Sequence, residues 1–483
     1  MKRCGWRLQK LVVFCLLLAL ACPGALADVA AAPGDPAVVP EALNIDWDAR
    51  YAFSELETQL TLIGDTYPEI AELYAIGHSW RERALWCLEL TDKTIAKDQK
   101  TGIAVLANIH GGERESAACA MYFAWWTALN SDTAYVKSLL SKYVLYVVPV
   151  INPDGYEQSF IYNTRQNMRP RDQNGNGTPF SDPYADIDGD GFIARLYRGT
   201  ADQQPNARKT ALFGMESPDY DKNGVLGDDP RNSGIDMNRT FDYQWNRFDI
   251  ETKGSEAGVI GVNAWASAGP DAASEPEVQA VQNFLINNDI YALTTLHTGI
   301  QCVLYPWCYR PYDETEAADT AIPFMKETAE KMAAAWQAAT GRGCYSKSSY
   351  EDYPTSAELI DYAFGRLNIH AYTIEVYNGG KSADGDIAAC KWENTLPEEK
   401  WVFYTREQLA EMGLDVASLK DANGEALGEN EGLWFYTAAS AQMVNRAPED
   451  QKTMVQGTRD AILVMIESEP YGNGEQVPMY LKW

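Results

Sequence analysis

Histidine is scarce in this chain of 483 residues, with four in all, at positions 78, 110, 297 and 370. Basic residues are also few, 40 Lys and Arg against 68 Asp and Glu, for a formal net charge of −28. So acidic a surface argues against nucleic acids and anionic membranes as partners and for solubility. Past the first thirty or so residues no long apolar run occurs, so the mature chain is expected to have no membrane span. There is no internal repeat or low-complexity tract. The hydrophobic content of 46 % can fill a sizeable core, which excludes bulk disorder.

The start of the chain reads as a secretory signal peptide over residues 1–27. Lys2, Arg3, Arg7 and Lys10 precede an apolar run from Leu11 to Ala21, and small residues end at Ala27, where a signal peptidase would cut. A lipid anchor on Cys22 fits less well, because no Leu stands three residues before it. Cleavage makes the mature chain four charges more negative and predicts a secreted, extracellular protein. Of nine cysteines, six then remain: Cys87, Cys119, Cys302, Cys308, Cys344 and Cys390. An even number permits disulfides, Cys302 with Cys308 being the first pair to consider; buried free thiols are the alternative of equal weight.

Residues 28–47, rich in Ala and Pro, read as a linker, and a catalytic domain is expected over 48–469, followed by a tail at 470–483. Four short runs rich in Val, Ile and Tyr have strand length: "GIAVLANI", "YVLYVVPVI", "IYALTTLH" and "IHAYTIEV". Helical stretches such as "SAACAMYFAWWTALN" lie between some of them, with Trp125 and Trp126 expected in the core. Buried strands alternating with helices predict an α/β fold with a mixed sheet flanked by helices. Two segments interrupt the pattern. Residues 170–232, rich in Asp, Asn and Gly, read as a loop-rich acidic insertion, and 381–445 as a second insertion with weak helix signals.

His110 and Glu113 follow the first of these strands and open a helix, in "NIHGGERES". Two ligands three residues apart there project from one side, as a zinc site with three protein ligands requires. The bland reading is a helix start whose acid favours the dipole. His297 ends another predicted strand, where ligand-binding residues of α/β sheets collect. His78 and His370 have no such placement and read as structural.

Seven segments in order, "IGHSWRERALWCLEL", "NIHGGERES", "VVPVINPDGYE", "GIDMNRTFDYQW", "LTTLHTGIQCVLYPW", "YPTSAELIDYAFG" and "YTIEV", resemble the zinc carboxypeptidases of the carboxypeptidase A and T type. The resemblance runs from about Tyr51 to Glu375. It implies one catalytic Zn²⁺ held by His110, Glu113 and His297, with Asp236 orienting one His. Glu375 matches the general base that takes a proton from water and delivers it to the leaving amine. Arg239 and Asn238 match the pair that grips the substrate's terminal carboxylate. Tyr353 matches the mobile Tyr that closes over the substrate, and Arg83 an Arg on the substrate-binding side. The oxyanion-stabilising Arg is assigned to Arg169, with Arg171 the fallback. Ile360 falls at the pocket base, which implies apolar or aromatic C-terminal residues; Glu358, two residues away, would favour a basic side chain if it turned inward. Peptide or protein C-termini are the implied substrates. Peptides of the cell wall with D- or diamino acids are an alternative within the fold, and a calcium-dependent binding protein on a dead scaffold an alternative of another class. The linker is too short for an inhibitory pro-domain with its own core, so a conventional zymogen is not expected.

Within the acidic insertion, "DQNGNG" (Asp172, Asn174, Asn176), "DIDGDG" (Asp186, Asp188, Asp190) and "DYDKNG" (Asp219, Asp221, Asn223) alternate oxygen side chains and end in Gly. Such a pattern can fold around structural Ca²⁺, with Asp182, Asp228 and Asp229 nearby. The twelfth positions hold Pro183, Tyr197 and Pro230, so these are not EF-hands. Solvated Asp-Gly turns are the alternative reading.

Overall fold

The four apolar runs are parallel neighbours at the centre of one sheet. The computed structural model describes residues 31–231, 234–245, 267–376, 398–438 and 451–468. The signal peptide, Cys22, Cys390 and the tail lie outside these. In chain order the first strands are β1 (Ala71–His78), β2 (Ala84–Leu90), β3 (Thr101–Ala107), β4 (Tyr143–Val148), β5 (Arg195–Gly199) and β6 (Gly214–Met215). They are followed by β7 (Ile290–His297), β8 (Gln301–Tyr305), β9 (Tyr345–Ser348), β10 (His370–Val376), β11 (Lys400–Tyr404) and β12 (Gly432–Thr437). The helices are α1 (Phe53–Thr66), α2 (Arg114–Leu129), α3 (Ala134–Lys142), α4 (Pro153–Gln158) and α5 (Pro276–Asn287). After them come α6 (Ile322–Thr340), α7 (Ser349–Asp352), α8 (Leu359–Leu367), α9 (Arg406–Glu411) and α10 (Gln451–Ser468).

Eight strands form a mixed sheet in the order β1-β2-β4-β3-β7-β10-β8-β9. The β4, β3, β7 and β10 strands run parallel, and β10 pairs antiparallel with β8. Their residues are buried along almost their whole length, because helices flank the sheet. From the centre the chain steps outward through β3 and β4 on one side and through β7 and β10 on the other. The crevice between β3 and β7, at their carboxyl ends, is therefore the switch point at which such sheets bind ligands.

Trp126 is fully buried on α2 and Trp125 nearly so, as expected. The α2, α6 and α10 helices pack together. Residues 34–47, read as a linker, lie against α2: the indoles of Trp126 and Trp125 donate to the carbonyls of Gly34 and Leu43. The two insertions meet. Strands β5 and β6 of the first join β11 and β12 of the second in a four-stranded sheet ordered β11-β12-β5-β6. The second segment contributes strands as well as the short α9, a correction to its weak helix signal. One face of this small sheet carries its own core, including Leu196, Phe213, Leu409 and Phe435. The Cys302–Cys308 disulfide does not form; both are buried free thiols, as are Cys87 and Cys119.

Candidate metal centre

The loop after β3 is shaped by backbone contacts that only particular residues allow. Asn108 takes a positive φ of 54°, and its side-chain amide donates to the carbonyls of His110, Gly111 and Glu113, closing the loop on itself. A Cβ on Gly111 would fall 2.3 Å from the Gly155 carbonyl carbon, so this loop and α4 can meet only with glycine here. Asn152, of the Asn-Pro-Asp-Gly segment, caps α4 by accepting from Gly155 N at 2.9 Å and donates to the carbonyls of Ile109 and Gln166.

These braces bring three donor groups together. His110 Nδ1 lies 2.7 Å from Glu113 Oε1, and His297 Nδ1, at the end of β7, lies 3.1 Å from Glu113 Oε2. One ligand atom from each residue lies within 4.8 Å of the others. The far nitrogens are held as well: His110 Nε2 faces Asp236 Oδ1 at 3.2 Å, and His297 Nε2 faces Thr295 Oγ1 at 3.3 Å. Two imidazoles turned the same way, one carboxylate and an outer shell fixing each ring fit Zn²⁺. Burial alone would raise the Glu113 carboxyl, but His110 and His297 beside it hold it below the usual range. Burial works likewise on Asp236, where Arg165, His110 and Arg239 hold the carboxyl far down. Asp236 is thus a buried anion between Arg165 Nε, at 2.6 Å, and His110.

Glu375 stands on β10 directly opposite His297, in parallel register. The residue is half-buried, and its Oε2 is shielded from solvent and finds no hydrogen-bond partner among the described residues. Burial pushes its carboxyl up to about 8, against the pull of His297. A protonatable oxygen with no partner, one strand from the donor set, is placed to exchange a proton inside the site.

Arg239 follows Asp236 in the turn Met237–Arg239, where the Asp236 side chain accepts from Asn238 N at 3.0 Å. Its Nη1 donates to Glu358 Oε1 at 2.9 Å and its Nη2 reaches Tyr353 OH at 3.4 Å. Asn238 Oδ1 accepts from Leu359 N. Glu358 has therefore turned inward, and Thr355 Oγ1 also donates to it. Ile360 is packed within the main core. Tyr353, at 37 % exposure, is the most open member of the group.

Two expected arginines are engaged elsewhere. Arg83 Nη1 pairs with Asp154 at 2.6 Å. Arg169 Nη1 pairs with Glu275 at 2.7 Å, its guanidinium over the Trp80 ring. The guanidinium that reaches the donor set is Arg165, whose Nη1 lies 3.9 Å from Glu113 Oε1. In "NTRQNMRPR" no local pattern ranks Arg165, Arg169 and Arg171. What selects Arg165 is a tertiary tie: Gly112 N donates to Thr164 O at 2.7 Å, next to where Asn152 holds Gln166. His78 is exposed at the end of β1, and His370 packs against the rings of Tyr291 and Phe324.

The acidic loops sit beside the small sheet. Asp186 and Asp188 converge with Glu216, which sequence reading missed; Glu216 is buried and accepts from the backbone of Ile187, Asp188 and Ala194. Asp190 pairs with Lys400 of β11 at 3.3 Å. The other two loops face each other: the Asn174 and Asn176 amides donate to Asp221, and the Asn223 amide donates to Asp228. Asp172 and Asp219 accept from backbone N–H groups of their own turns.

Fold and donor set together define a candidate zinc centre of the hydrolytic type, with three protein ligands and a buried carboxylate alongside. The zinc carboxypeptidase family model matches residues 56–400, and the chain belongs to that family. Carboxypeptidase A6 of Mus musculus is 22 % identical over 339 residues, 69 % of this chain and 62 % of that protein. The chain thus spans about three fifths of that relative's length. Carboxypeptidase B of Astacus astacus is 24 % identical over 346 residues, 70 % of this chain and 89 % of that one. Among solved structures, the carboxypeptidase A from Helicoverpa armigera aligns with a TM-score of 0.52 at 14 % identity, covering 88 % of this chain and 75 % of that one, a likeness of fold. The expected α/β architecture and family are both borne out. Among the described residues no helix is long and apolar enough to cross a membrane.

Proposed function

We propose that this protein is a zinc-dependent exopeptidase that removes the last residue from peptides with a free C-terminal carboxylate. The observation that carries the reading is the buried, partnerless Glu375 oxygen opposite His297, with Arg165 and Arg239 both acting on the Asp236 that backs His110. When bound by His110, Glu113 and His297, zinc supplies Lewis acidity to the scissile carbonyl and lowers the pKa of a water. Glu375 takes the proton from the attacking water and passes it to the leaving amine. Arg239, with Asn238 and Tyr353 beside it, holds the terminal carboxylate, which limits cleavage to chain ends. Arg165, rather than Arg169, faces the developing oxyanion, and Asp236 keeps His110 in its ligating tautomer.

Glu358 modifies the specificity expected from Ile360. A carboxylate 2.9 Å from Arg239 repels a bare substrate carboxylate unless the same residue brings a cation. This supports C-terminal residues carrying both charges, Lys, Arg or a diamino acid, and with the last the cell-wall reading. A secreted location follows from residues 1–27 and would be tested by sequencing the N-terminus of the exported protein. Structural Ca²⁺ at the Asp and Asn loops is supported by their alternating oxygens on turns with positive-φ glycines; absence of binding at millimolar calcium in equilibrium dialysis removes it.

The test uses matched peptides with free and amidated C-termini ending in Phe, Leu, Lys or a diamino acid. Release of single residues from free ends only, abolished in Glu375→Gln with zinc content unchanged, is the expected result. No cleavage of any peptide by zinc-loaded protein overturns the reading.

A further inference from the structure

Arg114, the first residue of α2, is 4 % exposed, and among the described residues no carboxylate or carbonyl accepts from its Nε or Nη1. The one described aromatic contact is the Phe160 ring, 4.3 Å below its guanidinium. A buried guanidinium left without an anion is costly, several kcal/mol even after relaxation. Glu115 is paired with Arg50 and acts on Arg114 as well, so it is shared between two guanidiniums.

Arg114 lines a small cavity of about 20 Å³, together with Trp47, Arg50, Gln59, Tyr156 and Gln451. That space admits a water or a small monovalent ion. Two other lining residues also carry polar atoms that are buried and unpartnered: Trp47 Nε1 and Gln59 Oε1. Thus three residues that line one void, from the 34–47 segment, α1 and α2, carry orphaned polar groups. Three of the four atoms are N–H donors, and turning the Gln59 amide end for end makes its contribution a donor too. A water could satisfy the geometry but would add no negative charge where Arg50 and Arg114 share Glu115.

We propose that this cavity binds a single small monovalent anion, chloride under ordinary conditions, held by Arg114 and the Trp47 indole. Its place gives the ion a structural task. Gln451 at the start of α10 donates to the carbonyls of Trp47 and Ala49, so the ion fastens the segment before α1, and α10 with it, to α2. The cavity shares no lining residue with the zinc donor set.

Two measurements on the full mature chain test this. Crystals soaked in bromide should give an anomalous difference peak between Arg114 and Trp47. Replacing gluconate by chloride at constant ionic strength should raise the melting temperature by about 1–3 °C and saturate, since the ion binds only the folded chain. Arg114→Met should abolish the chloride-specific rise. Should that variant not fold, Trp47→Phe, which removes one donor and keeps a ring against Tyr122 and Trp125, should move the chloride midpoint at least about 3-fold higher. A water-sized density without anomalous signal, or equal melting in chloride and gluconate, overturns the proposal. A bromide peak seen only at molar concentration, without a chloride-specific shift, overturns it as well.

Discussion

Replacing Arg165 and Arg169 separately by Ala asks which arginine stabilises the transition state. Arg165 makes a 2.6 Å charge-assisted bond to Asp236 and comes within 3.9 Å of Glu113, so its charge lies at the centre of the donor set. Removing one such donor from a preorganised site costs about 3–4 kcal/mol, or roughly 10²–10³ in kcat. The same change frees Asp236, which positions His110, and should weaken zinc binding by about 10–100-fold. Turnover must therefore be measured in zinc buffer that keeps the site loaded, with metal content read by mass spectrometry. Arg169 offers a contrast. Its ion pair with Glu275 is 28 % exposed on the Arg side, and Glu275 keeps bonds from Trp80 Nε1, Asn167 Nδ2 and Ser274 Oγ. Loss of that pair and of the Trp80 contact should cost about 1 kcal/mol of stability, with less than about a 3-fold change in kcat/KM. A 100-fold fall in kcat for zinc-loaded Arg169→Ala, with Arg165→Ala close to wild type, would refute the reasoning.

Glu358→Gln removes the anion beside Arg239, so KM for peptides ending in Phe or Leu should fall about 3–10-fold while that for Lys rises; steady-state kinetics with the two series reads the split. Gly111→Ala places a methyl 2.3 Å from the Gly155 backbone, which cannot yield as a side chain tip would. Zinc titration and urea unfolding should show weaker metal binding together with a loss of about 2 kcal/mol or more. Glu277 is buried beside Glu275, and burial raises its carboxyl to about 8. The folded chain then holds a proton that the unfolded chain releases above about pH 4.5, so this group's contribution is full at low pH and declines as pH rises toward 8. Glu277→Gln should flatten that decline, by up to about 1.4 kcal/mol per pH unit; unfolding curves between pH 5 and 8 that run parallel for both proteins would sink the assignment.

What could be read from the sequence was whatever local chemistry decides. Strands β3, β4, β7 and β10 show as β-branched and aromatic runs because both faces are buried. The donor set shows because histidine is rare and His110 and His297 close the apolar runs "GIAVLANIH" and "IYALTTLH". The small sheet did not show, since β5 finds its β12 partner more than two hundred residues away, and short strands without their partners have no distinctive period. Residues 34–47 read as a linker because Ala and Pro say nothing of the indoles that hold their carbonyls.

The placement of the three arginines shows how the site is built. Asn108 spends its side-chain amide on the zinc loop that it belongs to, and Asn152 and Asn167 spend theirs on backbone groups of other segments, Gln166 in the 163–167 run and Ile235 just before Asp236. Asn167 accepts from Ile235 N at 2.9 Å, which fixes the distance from that run to Asp236. With Gln166 tied to Asn152 and residue 167 tied to Ile235, only the side chain one step earlier is left to reach Asp236. Arg169, two residues past Asn167, is carried to Glu275, which also accepts from the Asn167 amide at 2.8 Å. The choice between the arginines is thus made by asparagines that no charge pattern reveals. It follows that Asn167→Ala, far milder in charge than either arginine change, should loosen both the Arg165–Asp236 and the Arg169–Glu275 pairs, lowering activity and stability together where each arginine variant lowers chiefly one.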